Sequence, residues 1–331
     1  MAQNKSKVMD IFEERKVIQP YEYEGLMKYA DAIHEAFWTA EHFTYDRDVR
    51  EFRVELSVGE QEVVKRAMLA IGVVENKVKT FWARIDQRIP KVEVSDVGHT
   101  FAGNEVIHRR AYEKLLNLLG LGAEFETVLD VPCMEGRSKY LTKYLSGVSS
   151  RSNKEFTKSL ILFTLLVENC SLFSQFLIVS SFNKYKNVMN NFNSVVTATG
   201  KEEALHGRFG AELIRIIREE NPDWFDAEME QKIRRNVQKA FKAECEVLDW
   251  IFESHELEFL PKKTVVEYLK GRFNLSLQQI GYDPEFDIDE ELLKPTEFFD
   301  IAVKTSQSFD FFNEKSSEYA KTNIITEDAW D

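Results

Sequence analysis

The sequence has 331 residues, of which 44% are hydrophobic, and a formal net charge of −13 from 43 basic and 56 acidic side chains. This length suffices for one large domain or two of ordinary size, with a buried core in either case. The negative charge argues against nucleic acid or an anionic membrane as the main partner, because both would repel the chain, although local basic patches remain compatible with it.

Apolar residues that return every three to four positions predict helices along most of the chain. We expect the first helix from about 23 to 38. The second begins at Ser57, whose spacing to Glu60 is typical of a capping box, and runs toward Pro90. A third is expected from about Ser95 to Gly120.

The most apolar stretch runs from Ser159 to Phe182 and follows a second capping box, formed by Ser152 and Glu155. It is long enough to raise the question of a membrane span. Glu168 and two other polar residues near its middle make a single span costly. We therefore predict a helix buried in a water-soluble protein, and the acid inside it then needs an explanation.

Three more helices complete the pattern, at about 195–220, at about 227–254 and after Pro261, a residue that suits a first helical position. Because no linker rich in Gly, Pro or Ser separates two halves, we predict one all-α domain over residues 1–312. Residues 313–331 lose the helical periodicity and are expected to form a flexible tail.

The three cysteines, at positions 133, 170 and 245, are odd in number and show no CxxC pairing. A disulfide framework or a zinc knuckle is therefore not expected. The first residues, MAQNKSKVMDIFEERK, are charged and lack the apolar region of a secretory signal. Both features predict a reducing, cytoplasmic location.

Two segments carry a Glu followed three residues later by a His. Residues i and i+3 share one face of a helix, so Glu105 with His108, and Glu203 with His206, can each point at one ion. The same spacing also arises by chance elsewhere in this chain. For one such motif alone, a solvated acid beside a half-buried His is the commoner arrangement, so the motifs must be judged by their surroundings.

Two acids in apolar helices provide the support: Glu75 in LAIGVVENKVKTFW and Glu168 in LILFTLLVENCSLFSQF. A buried unpaired carboxylate is strongly unfavourable unless it stays protonated, and a pair of divalent cations removes that penalty. One Glu from each of two helices and a Glu-x-x-His from each of two others is the ligand pattern of ferritin-like di-iron and di-manganese proteins. We therefore predict a ferritin-like helical bundle with a dimetal-carboxylate site in its core.

This ligand set also bears on which ion binds and on what chemistry follows. Oxygen-rich ligands with one His per ion suit iron or manganese better than zinc and leave positions open for oxygen. Tyr112 lies seven residues after Glu105, two turns along the same face, which puts its phenol near the ions. A tyrosine there is either a core aromatic residue or an oxidisable side chain.

With these residues in view, the chain resembles the small, radical-generating beta subunit of class I ribonucleotide reductase. The resemblance covers most of the chain and is carried by FWTAEHFTYDRD, NEVIHRRAY, the apolar helix around Glu168, and KEEALH. It implies a homodimer of helical subunits, each with a dimetal cluster that stores an oxidising equivalent. This equivalent passes to a cysteine of a separate large subunit, which binds ribonucleotides and reduces them to deoxyribonucleotides.

The resemblance also assigns roles by position. Tyr112 falls where many members hold the radical tyrosine. Trp38 resembles the tryptophan that begins the electron relay near the cluster, and Glu202 stands where an Asp usually links that tryptophan to a ligand His. In the tail, Tyr319 resembles the tyrosine that hands the radical across the subunit interface, and TEDAW resembles a docking peptide for the large subunit. The metal ligands would be Glu75, Glu105, His108, Glu168, Glu203 and His206.

Two residues bear on the choice of metal. The first ligand is often Asp in the family but is Glu75 here, as in manganese-using branches. Lys79 follows at i+4, where its ammonium is either solvated or hydrogen-bonded to a ligand carboxylate or to Tyr112. This combination resembles the branch called class Id, in which a mixed-valent dimanganese cluster is itself the radical store. We therefore favour two Mn over two Fe, and a metal-based store over a tyrosyl radical.

Two other functions fit the same ligands. One is a ferritin-like dimetal oxidase with a substrate cavity beside the ions, and the other is a metal-storage protein. Storage shells are usually built from much shorter chains, which disfavours the second. A purely structural helical protein is the remaining alternative.

Overall fold

The computed structural model describes residues 10–75, 78–145, 149–150 and 152–308, and every regular element within these ranges is a helix. The predicted all-α class is therefore confirmed. The boundary predicted at residue 312 and the tail beyond it lie outside the described residues. The α-helices, numbered in chain order, are α1 Lys28–Glu35, α2 Asp46–Val54, α3 Val58–Glu75, α4 Lys79–Trp82, α5 Val92–Leu119, α6 Gly122–Thr127, α7 Pro132–Leu145, α8 Asn153–Leu162, α9 Phe173–Lys186, α10 Asn190–Glu220, α11 Ala227–Ile251, α12 Lys262–Gln279, α13 Glu290–Leu293 and α14 Glu297–Ser308.

Local signals in the sequence set several helix ends. At the start of α3, the Ser57 backbone N–H donates to Glu60 Oε2 at 2.8 Å and the Glu60 N–H donates to Ser57 Oγ at 3.3 Å, which confirms the capping box. Ser152 caps α8 by accepting from the Glu155 N–H at 3.2 Å, which is one of the two hydrogen bonds of a capping box. Gly120 ends α5 with a φ of 79°, a conformation that favours glycine.

Two predicted helices are shorter than expected. The first ends at Glu35, which places Trp38 in the loop that follows α1. The rod predicted from Ser57 toward Pro90 does not reach its expected end, because α4 ends at Trp82 and a 3-10 turn, Ile85–Gln87, follows. Packing overrides the periodic pattern here: the Trp82 carbonyl lies so close to α5 that a Cβ on Gly98 would approach it to 2.8 Å.

The apolar stretch Asn153–Lys186 is long and apolar enough to cross a membrane, but its apolar window is entirely buried inside the protein. This agrees with the predicted core helix. The stretch is not one regular α-helix, because a π-helical segment, Phe163–Glu168, lies between α8 and α9. The metal-site candidate Glu168 is the last residue of this segment.

Side chains also bind carbonyl oxygens of the widened π-helical turn. Asn169 Nδ2 donates to the Thr164 carbonyl at 2.9 Å. Ser276 Oγ, from α12, donates to the Leu165 carbonyl at 3.2 Å, and Ser171 Oγ donates to the Leu166 carbonyl at 2.5 Å. These hydrogen bonds stabilise the irregular turn.

Helix α10 packs closely against this segment because it presents two glycines to it. A Cβ on Gly207 would lie 2.5 Å from Asn169 Oδ1, and a Cβ on Gly210 would lie 2.2 Å from Thr164 Oγ1. Both distances are too short for any real side chain. The glycines thus allow Glu168 and the ligand candidates of α10 to face each other across a short gap.

Candidate metal centre

Six buried side chains from α3, α5, the π-helical segment and α10 converge in the core of the bundle. They form two overlapping groups, in each of which the ligand atoms lie within 4.8 Å of one another. The first half-site contains Glu75 and His108, the second contains Glu168 and His206, and both share Glu105 and Glu203. The structure therefore brings together all six residues that the sequence proposed as ligands.

The two shared carboxylates each present one oxygen to each half-site. Glu105 Oε2 lies 3.5 Å from His108 Nδ1, and Glu105 Oε1 lies 3.0 Å from His206 Nδ1. Glu203 Oε1 lies 3.1 Å from His108 Nδ1, and Glu203 Oε2 lies 3.6 Å from His206 Nδ1. This is the disposition expected of carboxylates that connect two neighbouring ions.

The unshared acids face only one imidazole each. Glu75 Oε2 lies 3.9 Å from His108 Nδ1, and Glu168 Oε2 lies 3.5 Å from His206 Nδ1. Among the described residues, seven buried carboxylate oxygens of these four acids and both Nδ1 atoms have no hydrogen-bond partner. Buried polar atoms are normally paired, so a cluster of unpaired donor atoms of this kind fits two divalent cations.

The electrostatics point the same way. Burial raises the pKa of the Glu75 and Glu168 carboxyls well above the usual range, and the charges of neighbouring acids add to the shift. Burial by itself lowers the pKa of His108 and His206, but the surrounding carboxylates, Glu105 first, outweigh it and raise both values. Without cations the site is expected to hold protons, which must leave when ions bind.

A hydrogen-bonded chain leads out of the first half-site. His108 Nε2 donates to Glu202 Oε2 at 2.6 Å, and the Trp38 indole N–H donates to the same oxygen at 2.9 Å. The Trp38 ring also stacks on the His108 imidazole with centroids 6.0 Å apart. The extra methylene of Glu202, relative to the Asp that the resemblance implies, therefore does not prevent this residue from contacting both partners.

Two side chains at the second half-site were not predicted. His206 Nε2 donates to Asn104 Oδ1 at 3.1 Å, and the Trp82 indole N–H donates to Glu168 Oε1 at 2.8 Å. Asn104 stands directly before Glu105 on the buried side of α5, so a polar residue on an apolar face was an available signal. Trp82 gave no such signal, because its contact depends on where α4 packs.

The structure places Tyr112 in the core, 1% exposed and stacked on Phe176 with ring centroids 6.3 Å apart. Its hydroxyl has no hydrogen-bond partner among the described residues. Burial raises the pKa of this phenol well above its usual value, and the charge of Glu75 raises it further, while Thr199 acts in the opposite direction.

Lys79 is half-buried and is the first residue of α4. Residues 76 and 77, which connect it to Glu75, lie outside the described residues, so its predicted position on the helix face of Glu75 stays a prediction. Tyr319 and the TEDAW segment lie outside the described residues.

Comparisons with known proteins agree with this site. The family model "Ribonucleotide reductase, small chain" matches residues 15–292. A probable ribonucleoside-diphosphate reductase small subunit of Invertebrate iridescent virus 3 is 21% identical, with 96% of this chain and 87% of the viral protein covered.

Two solved structures share the fold. The ribonucleotide reductase R2 subunit from Clostridium botulinum superposes with a TM-score of 0.76 at 18% identity, covering 85% of this chain and 89% of that chain. The dimanganese(II)-NrdF of Streptococcus sanguinis gives 0.75 at 14% identity, covering 87% and 99%. The chain therefore belongs to the ribonucleotide reductase small-chain family, and the predicted enzyme, a ribonucleoside-diphosphate reductase of which this is the small subunit, is confirmed.

Proposed function

We propose that this chain generates and stores the oxidising equivalent with which a large subunit reduces ribonucleotides to deoxyribonucleotides. When bound, a pair of redox-active ions would supply the one-electron oxidation chemistry. The ligands named above would hold the ions, and the apolar core around them excludes water. The single observation that carries the proposal is the chain of contacts from His108 through Glu202 to Trp38.

This chain of contacts suits electron transfer from Trp38 toward the metal centre. The indole N–H donates to a carboxylate, which stabilises positive charge on the ring and can accept its proton. Trp38 itself is 3% exposed, whereas its neighbour Phe37 is 58% exposed, so the relay begins one residue from the surface. Neither metal storage nor a purely structural role requires such a connection, and the family match does not favour the oxidase or storage alternatives.

We also propose that the metal pair, and not Tyr112, is the store. The Tyr112 hydroxyl is buried without a hydrogen-bond partner among the described residues, so no hydrogen-bonded acceptor is in place for the proton that the phenol loses on oxidation. Two Mn are our preferred cofactor, with two Fe as the alternative. The S. sanguinis protein of the same fold was solved in a dimanganese form, which supports this preference.

The remaining predictions concern assembly and location. We propose a cytoplasmic homodimer that docks with the large subunit through residues 313–331, with Tyr319 as the last step before the interface. The acidic charge and the unpaired cysteines support a cytoplasmic protein that binds neither nucleic acid nor membrane. Lys79 remains our candidate for a residue that tunes the cluster.

The test uses full-length protein reloaded with manganese, an oxidant and the matching large subunit. In Trp38→Phe we expect an unchanged metal content and an unchanged low-temperature EPR signal, but nucleotide reduction at background level, because the indole N–H is gone. Trp250→Phe makes the same chemical change on α11, away from the site, and should remain active. Full activity of Trp38→Phe, or of the wild-type chain without a large subunit, would contradict the proposal.

Tyr112→Phe tests where the equivalent is stored. A multiline signal from coupled manganese ions and retained activity are expected, because the phenol takes no part. A narrow organic-radical signal in the wild-type protein that disappears in this variant would instead make Tyr112 the store.

A further inference from the structure

The four acids of the metal centre are not equivalent in the atoms that they offer. Glu75, Glu105 and Glu203 each have two buried oxygens without a hydrogen-bond partner among the described residues. Glu168 has only one, Oε2, because its Oε1 accepts the indole N–H of Trp82 at 2.8 Å. A hydrogen bond to one oxygen makes that oxygen a poorer donor to a metal ion.

The position of the Trp82 N–H is fixed by packing. The side chain is 0% exposed, and its ring makes edge contacts with Phe101 and Phe163 at centroid distances of 5.3 Å. Its backbone carbonyl lies against Gly98 of α5. The indole therefore cannot rotate away from the carboxylate without opening the core.

The backbone of Glu168 is fixed as well. It ends the π-helical segment, whose carbonyls are bound by Ser171 and Ser276. For Glu168 to bind an ion through both oxygens, the indole hydrogen bond would have to break and leave a buried N–H unpaired. Such a loss shifts an equilibrium by about fivefold or more.

We propose that Trp82 is a positioning residue that restricts Glu168 to one metal-binding oxygen, Oε2. The ion of the second half-site would then bind one oxygen of Glu168 instead of two. The free coordination position would be available to water or to an oxygen species, whereas Glu75 of the first half-site has both oxygens available. The inference rests on the proposed function only in requiring that two ions bind.

The test compares manganese-loaded wild-type protein with Trp82→Phe, which keeps an aromatic ring but removes the N–H donor. Crystal structures should show Glu168 bound through one oxygen in the wild type and through two in the variant. Calorimetric titration with Mn²⁺ should show that the variant binds the ion of the second half-site about fivefold or more tightly than the wild type does. Trp250→Phe serves as the matched control and should change neither result.

A second variant covers the case in which Trp82→Phe fails to fold. Replacement of Trp82 by 3-benzothienylalanine keeps the bicyclic shape of the side chain and removes only the N–H donor. If the ring had a purely structural role, the coordination of Glu168 would be unchanged in this variant. Two bound ions with one-oxygen binding of Glu168 in a donor-free variant would overturn this inference alone. Failure of the wild-type chain to bind two ions would overturn the proposed function and this inference with it.

Discussion

The two half-sites of the metal centre contain the same kinds of ligand but differ in the residues behind them. His108 donates to the carboxylate of Glu202 at 2.6 Å, whereas His206 donates to the neutral amide of Asn104 at 3.1 Å. A charged acceptor makes an imidazole a stronger metal donor than a neutral one does. Among the described residues, the chain of contacts to Trp38 starts at the first half-site. Under the two proposals made above, the half-sites would have different roles, with electron exchange at the first and an open coordination position at the second.

Removal of an unshared ligand should have the largest effect, and it tests whether the two half-sites bind their ions independently. We expect Glu168→Ala to lose the ion of the second half-site and to retain the other, because Glu75, His108 and both shared acids remain in place. Elemental analysis should then find one ion per chain. Glu62→Ala, which alters a partly exposed acid outside the site, should retain two ions. Loss of both ions from Glu168→Ala would show that the half-sites do not load independently.

A smaller effect is expected when the charge of the residue that accepts a hydrogen bond from each imidazole is changed. Glu202→Gln keeps the length of the side chain but removes its charge, so we expect the affinity of the first half-site for Mn²⁺ to fall by about 10- to 100-fold. Calorimetric titration of metal-free protein measures this change. Asn104→Asp is the mirror-image control and should tighten binding at the second half-site instead. If both variants affected the same ion, the assignment of the half-sites would be wrong.

We expect pH to have the smallest effect on metal affinity, and this effect can also be compared between the two half-sites. The pKa values of His108 and His206 are raised in the metal-free protein, so these imidazoles hold protons that an entering ion must displace. Acid therefore favours the metal-free state, and affinity should increase by about tenfold per pH unit for each proton released. Titrations at several pH values, in buffers of different ionisation enthalpy, count those protons. An affinity independent of pH would contradict the protonated site.

Glu202 contributes to the raised pKa of His108, so Glu202→Gln should release fewer protons at the first half-site. The pH dependence of that ion should flatten while that of the second ion stays the same. An equal flattening for both ions would mean that the four site carboxylates alone control proton release.

The ligands were accessible to sequence reasoning because their geometry is local. Glu105 with His108, and Glu203 with His206, share a helix face by spacing alone, and an acid in the most apolar stretch of the chain indicated Glu168. Trp38 and Glu202 lie in different parts of the chain, and only the family resemblance connected them. The structure shows that this connection is a direct hydrogen bond.

The rest depends on contacts between distant segments. Trp82 reaches Glu168, which lies 86 residues away in sequence, because α4 packs against α5 at Gly98. The π-helical segment is likewise stabilised by a side chain of α12, Ser276. An apolar pattern that repeats every three to four residues does not distinguish a regular helix from one with a widened turn.

The two glycines of α10 carry a consequence for comparing relatives of this chain. A Cβ at Gly207 or Gly210 would lie within 2.5 Å of the Asn169 or Thr164 side chain, so alanine at either position requires these side chains or the backbone beside Glu168 to shift. A homologue with all six ligands and alanine at either position is therefore expected to pack differently beside Glu168. Substitutions between glycine and alanine there should therefore track changes in cluster geometry that ligand motifs alone do not reveal.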